Sequence, residues 1–307
     1  SRPNPSRVWR ARPWERLTCH LPCLWPSSMV TVSTMARLSS SRDISFDTDF
    51  GSARIRWDGP RATLFLGDVE SSAVDTSDPT YLEFEYMQHM DAVVSSLWEP
   101  QERFRALHVG GAACALACAW SASHPQSRHV AVEVDRLLAD QVREHFPIPK
   151  APQVKIRVGD GRAVLDRTRE GSFDVIVRDA FASGVTPDHL RTRECAQRAR
   201  AALTARGIYL VNCAHGGPAN ARHDIAALQE VFPFVASIQD PKVGRSGRRG
   251  NVVALASATD VVDVDRIDRA LRTLALPARI TRPRDLERWV AGTPALTDAQ
   301  AGYPQAD

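Results

Sequence analysis

From Arg105 onward the chain repeats one unit: a short apolar run, a stretch with helical spacing, then another apolar run. The runs fall at residues 105–109, 130–134, 154–158, 173–177 and 207–211, with predicted helices over 112–122, 136–146, about 189–203 and 219–232. Strands that are apolar throughout and separated by helices must be covered on both faces, which demands an α/β fold around a mostly parallel sheet. Two further strands, 235–238 and 251–256, are joined by the glycine- and arginine-rich loop 244–250 and read as a hairpin. The prediction is a seven-stranded sheet with one antiparallel strand at its edge.

Upstream the period is different. Residues 53–57, 62–66 and 69–74 are β-like and are separated by Asp58-Gly59-Pro60 and Gly67-Asp68, which predicts a small antiparallel meander. Asp78-Pro79 is read as the start of a helix carrying Leu82, Tyr86, His89, Met90 and Val93 on one stripe. Residues 1–42 hold five prolines and no sustained periodicity. They are read as a disordered leader, or as upstream sequence never meant to fold, with Met29 and Met35 as alternative starts. The expected domains are therefore this leader, a small β domain with its helix over 43–100, and an α/β domain with a helical tail over 101–307.

Composition removes several function classes. The 39 Lys+Arg nearly balance the 36 Asp+Glu and are interspersed with them, so the net charge of +3 argues against a general nucleic-acid binder. No stretch approaches 18 uncharged apolar residues, so no membrane-spanning helix is expected. The six cysteines form neither a disulfide framework nor a four-ligand zinc set. Reduced thiols, no metal and a cytoplasmic location follow as expectations. Cys114 and Cys118 are assigned to packing against the sheet, His108 to the core, and the arginine loop to solvent.

In an open α/β sheet, ligands bind beyond the carboxyl ends of the strands. Four such ends carry suitable residues here. Gly110 and Gly111 close the first strand and lead into a helix N-terminus, where backbone and ligand can approach closely. Glu133 closes the second, placed to accept hydrogen bonds from ribose hydroxyls. Asp160 and Gly161 follow the third, with an acid for an adenine amino group and a glycine that leaves room for the ring. Asp179 closes the fourth and would face whatever projects from the nucleoside.

The order GG, E-V-D, GDG and DVIVRD resembles the Rossmann-like class I S-adenosylmethionine-dependent methyltransferase fold, and within it the spermidine/spermine synthases. Glu85-Tyr86-Met87-Gln88-His89-Met90 is similar to that family's E-M-x-x-H-L stretch, and a small β domain before the sheet is its arrangement too. The resemblance implies transfer of an aminopropyl group from decarboxylated S-adenosylmethionine to an amine. It assigns the ribose to Glu133, the adenine to Asp160 and the acid/base role to Asp179, with Glu70, Tyr86 and His89 at the substrate mouth. A homo-oligomer, in the form of a dimer, is the expected assembly.

Departures keep alternatives open. The family's G-G-G-D-G-G loop has its aspartate at Ala113, its D-x-x-D has its second acid at Ala182, and a glutamine of the meander falls on Glu70. A dication without those acids would sit uncompensated in a secluded pocket. Methyl transfer from S-adenosylmethionine to another acceptor, or a non-catalytic protein with a degenerate amine site, therefore stand beside aminopropyl transfer.

Overall fold

A computed structural model of the chain describes residues 42–182, 184–243 and 248–304. The leader expected over 1–42 lies outside these residues apart from Arg42, as does most of the arginine loop. The described chain opens with four antiparallel strands in sequential order: β1 (Arg42–Thr48), β2 (Gly51–Asp58), β3 (Arg61–Leu66) and β4 (Val69–Asp75). Ile44 faces Ile55, which faces Leu64, so one face of the meander is apolar and inward. The other face is polar, with the Arg54 guanidinium 4.4 Å from the Phe65 ring centre. The sequence reading lacked β1. Its residues are polar or only half-buried, as suits an edge strand, and such a pattern carries little apolar signal.

Helix α1 (Glu85–Leu97) begins seven residues after Asp78, later than expected. Asp78 accepts the Thr80 N–H at 3.0 Å and Asp75 accepts the Ser77 N–H at 2.8 Å, so local turns compete with the helix there.

The large sheet has eight strands, one more than predicted, in the order β12-β10-β11-β9-β8-β5-β6-β7. They are β5 (Arg105–Val109), β6 (Arg128–Glu133), β7 (Val154–Val158), β8 (Phe173–Arg178), β9 (Leu203–His215), β10 (Phe234–Gln239), β11 (Gly250–Ser257) and β12 (Arg279–Thr281). All seven expected strands are present, and β5 to β9 pair in parallel. The antiparallel edge strand is present, but the predicted hairpin does not supply it. β11 is inserted between β9 and β10, and the edge belongs to β12, which pairs antiparallel with β10. The reason lies in burial: Val252 to Ala256 are fully buried, so β11 is satisfied only in the sheet interior. Three residues are too few for β12 to show a period.

Helices cover both faces. Val175, Val177 and Leu210 point into one core with Met90, Leu116, Leu138 and Ile267, which also receives Ile55 and Leu64 of the meander. Ile176, Tyr209 and Val211 point into the other with Leu165, Ala199, Ile225 and Leu286. His108 is a core residue as expected, with its Nε2 3.1 Å from His129 Nδ1. Among the described residues no helix is long and apolar enough to cross a membrane, and Cys114, Cys118, Cys195 and Cys213 are unbridged.

Candidate functional site

The chain leaves β5 toward β6 and β7 and later returns as β8 on the other side of β5. A crevice is expected at the carboxyl ends of β5 and β8, where this reversal occurs. Gly110 follows β5 with φ of 81°. A Cβ there would collide with the Asp179 carbonyl oxygen and lie 2.7 Å from the Ala180 Cα, so only glycine lets the two strand ends come this close. The Asp179 N–H donates back to the Val109 carbonyl at 2.9 Å.

Beyond Gly111 the loop keeps a glycine-like path without glycines. Ala112 (φ 40°) and Cys114 (φ 58°) both adopt the left-handed region, at a cost of about 1–2 kcal/mol each. This holds the loop out of helical register, and α2 (Ala115–Ser123) starts three residues later than predicted. Ala113 is fully buried. Cys114 is buried too and packs with Ala131 and Val154, as expected for it; burial pushes its thiol well above the usual range.

Glu133 ends β6 and braces this loop. Its carboxylate accepts the Ala112 N–H at 3.3 Å and the Asp135 N–H at 3.1 Å. Burial nevertheless raises its pKa, and the two N–H donors only partly oppose the rise. Asp160, after β7, caps the short helix α4 (Gly161–Asp166) by accepting the Ala163 N–H at 2.8 Å. Its other oxygen lies 3.1 Å from His189 Nε2. The His189 contact is the main cause of a lowered Asp160 pKa. A Cβ on Gly161 would strike the Val109 side chain, so this glycine sets how closely α4 approaches β5.

Asp179 is held from two sides. The Tyr86 hydroxyl of α1 donates to Oδ2 and the Asn212 amide of β9 donates to Oδ1, both at 2.8 Å. Burial pushes the carboxyl up; Asn212, Tyr86 and the neighbouring Arg178 pull against that rise. Tyr86 is raised well above its ordinary value, first by burial and then by the Asp179 charge. Beneath the site Arg178, 2% exposed, pairs with Asp224 at 2.7 Å and donates to the Leu190 and Asn212 carbonyls.

Gly110, Gly111, Glu133, Asp160, Gly161, Asp179 and Tyr86 thus belong to adjoining strand ends or touch them. His89 lies one turn beyond Tyr86, buried, with Nδ1 lacking a partner. Burial lowers its pKa to about 4. Glu70 is exposed on β4 opposite Phe65, and no hydrogen bond joins it to this cluster among the described residues. Ala182 is exposed beyond β8.

Sequence reasoning missed four contributors. Asn212 interrupts the apolar run of β9, a signal that was available. Arg178 likewise breaks the run of β8. His189 and Tyr303, stacked with ring centres 5.5 Å apart, come from distant segments and carried no local signal. The tail bearing Tyr303 is fixed by the buried pair Arg162–Asp298 at 2.6 Å.

No family model matches the chain. A curated polyamine aminopropyltransferase from Vibrio vulnificus (strain CMCP6) is 24% identical over 182 residues, 58% of this chain and 58% of that protein. The crystal structure of a probable spermidine synthase from Corynebacterium glutamicum ATCC 13032 superposes with a TM-score of 0.77 at 31% identity, covering 83% of this chain and 96% of that one. The chain belongs to the spermidine synthase family. It spans a little over half of the curated relative, so kinship with that transferase does not carry the whole relative's activity across. A spermidine synthase crystallised with the transition state analogue AdoDATO shares the fold at 18% identity and a TM-score of 0.52, over 84% of this chain and 86% of that one. Within the family's fold, the switch-point cluster around Asp179 is this chain's candidate active site.

Proposed function

We propose that the chain binds an adenosyl-sulfonium compound, decarboxylated S-adenosylmethionine or S-adenosylmethionine, and transfers an aminopropyl group from it to a small amine, with Asp179 as the proton acceptor. The observation that carries this reading is the Asp179 carboxylate, raised by burial yet fixed by two donors at the switch point. An ammonium must lose its proton before its nitrogen can attack, and a carboxylate with an elevated pKa is matched to taking it.

The residues present fit such a ligand. Gly110 and Gly161 bring the ends of β8 and α4 close to β5, where a Cβ would strike Asp179 or Val109, and neither carries a side chain that could obstruct a ligand. Glu133 spends its carboxylate on long N–H contacts and keeps lone pairs for ribose hydroxyls. Asp160 is positioned to accept from an adenine amino group, with the His189–Tyr303 stack beside it. The cofactor supplies a carbon activated by the adjoining sulfonium, which leaves as a neutral thioether. The AdoDATO complex of a family member supports a ligand of this class.

Methyl transfer is the second reading, favoured by Ala113, a buried apolar residue at the family's position for holding the transferred amino group. Product analysis separates the two: aminopropyl transfer leaves methylthioadenosine, methyl transfer leaves S-adenosylhomocysteine. A non-catalytic binder would give neither product. Calorimetry showing no binding of methylthioadenosine or of either sulfonium compound would sink the proposal. The proposal includes a homodimer, which sedimentation would check.

A further inference from the structure

The parallel strands present a second site at their other ends. Arg105 opens β5, Arg128 opens β6, and Arg103 precedes them in the approach to β5. Together with Pro125, Gln126 and Asp174 they line an open cavity of about 600 Å³. All three arginines are exposed, and among the described residues none of them has a carboxylate within ion-pairing distance.

Each guanidinium is instead steadied by a neutral neighbour. Arg103 Nε donates to the Gln126 amide oxygen at 3.0 Å, Arg128 Nη1 donates to the Ser127 carbonyl at 2.9 Å, and the Arg105 guanidinium lies 5.5 Å from the Phe173 ring centre. Neutral partners fix the side chains without cancelling their charge, and the remaining N–H donors have no partner among the described residues. Asp174 is the one acid among the described residues of the wall. Its two oxygens are engaged by the Arg105 backbone N–H at 2.9 Å and the Thr204 hydroxyl at 3.0 Å, so it reduces the local charge without capping a guanidinium.

Forked guanidinium donors match phosphate oxygens, and several of them around one cavity match a chain of phosphates. We propose that this cavity binds a small oligophosphate, a diphosphate or triphosphate group either free or carried on a nucleoside. The location makes it distinct from the site at Asp179. β5 is five residues long, so the two ends of the strands are about 15 Å apart, and one ligand of this size cannot reach both. The inference does not rest on the proposed transferase reaction.

Titration calorimetry of the full chain with inorganic tripolyphosphate, at low ionic strength, tests it. One equivalent is expected to bind, and sodium sulfate at matched ionic strength should not reproduce the heat. The double variant Arg105→Glu/Arg128→Glu should bind at least tenfold more weakly, and Arg105→Gln/Arg128→Gln should show a similar loss in a better-tolerated form. Asp174→Asn should bind more tightly, because an opposing charge is removed. A nucleoside triphosphate should bind about as well as tripolyphosphate. Equal binding by wild type and the Gln variant would overturn the proposal, as would an affinity for oligonucleotides or nucleosides with none for tripolyphosphate. Methylthioadenosine binding, measured on the same variants, should stay unchanged and reports independently on the site at Asp179.

Discussion

Asp160 and Asp179 are the same residue type at the carboxyl ends of two strands of one sheet, β7 and β8, yet their surroundings push them in opposite directions. The Asp160 side chain is about 40% exposed, caps α4 and touches His189, and its pKa is lowered. Asp179 is wedged between α1 and β9, and burial raises its pKa despite two donors. An acid held ionised serves as a fixed acceptor, whereas one poised to gain a proton serves as a base. On the proposed roles, binding and proton transfer would be separated by solvation and hydrogen bonding, with no change of side chain.

The sharpest way to break this comparison is Asp179→Asn. If Asp179 takes the amine proton, turnover should fall by about 10²–10⁴, with nucleoside binding kept, as single-turnover product analysis and calorimetry would read. The same variant should melt at a higher temperature than wild type at pH 7. The sign follows from the raised pKa. The folded state retains its proton to higher pH than the unfolded chain, so the wild-type carboxyl begins to cost stability as pH rises through the unfolded value, and the cost is complete above the folded one. Below the unfolded value both states are protonated and the difference should vanish.

Gly110→Ala attacks the geometry that brings the two strand ends together. A methyl group meets the backbone at Asp179 and Ala180, which cannot retreat without breaking the Asp179 N–H bond to Val109. With the positive φ added, about 2–3 kcal/mol of destabilisation is expected in denaturant melts, with weakened nucleoside binding. Asp160→Ala should be milder. It removes an N-cap worth about 1 kcal/mol and should weaken methylthioadenosine binding without moving the pH profile of turnover. Because the Asp160 pKa is lowered, its stabilisation is present above the unfolded carboxylate value and fades as pH falls. The stability gap between wild type and Asp160→Ala should therefore narrow in acid.

Much of this comparison was legible in the chain. Apolar strands ending in Gly110, Glu133, Asp160 and Asp179 are a local pattern, whereas which ends adjoin is set by the sheet order, in which β8 pairs with β5 and not with β7. What stayed hidden depends on contacts between distant segments. Asp160 and Asp179 look alike until His189 and Asn212 are folded against them. The start of α2 was misjudged because Ala112 and Cys114 give no sign that they adopt positive φ. β12 was missed because three residues show no period and β1 because its strand is mostly polar, and the edge was expected in the hairpin because pairing order is not encoded in a hairpin's period.

Tyr86→Phe should have the smallest effect and is the most discriminating about the base. The Tyr86 hydroxyl donates to the ionised form of Asp179 and so lowers its pKa. Removing it leaves Asn212 as the one side-chain donor described on that carboxylate, with burial still favouring the protonated form. The acidic limb of the pH–rate profile should then move to higher pH by up to about one unit, since one charge-assisted hydrogen bond is worth about 1.5 kcal/mol. Turnover well above that limb should change only a few-fold, because the phenylalanine ring can keep its place beside Phe84. A variant with reduced turnover at every pH and an unmoved limb would instead make Tyr86 a substrate contact, and would leave the elevated pKa of Asp179 to burial alone. A limb that moves to lower pH would contradict the donor role itself. Asp160→Ala supplies the control, since it alters a carboxylate of the same sheet that has no contact with Tyr86 and should leave the limb where it is.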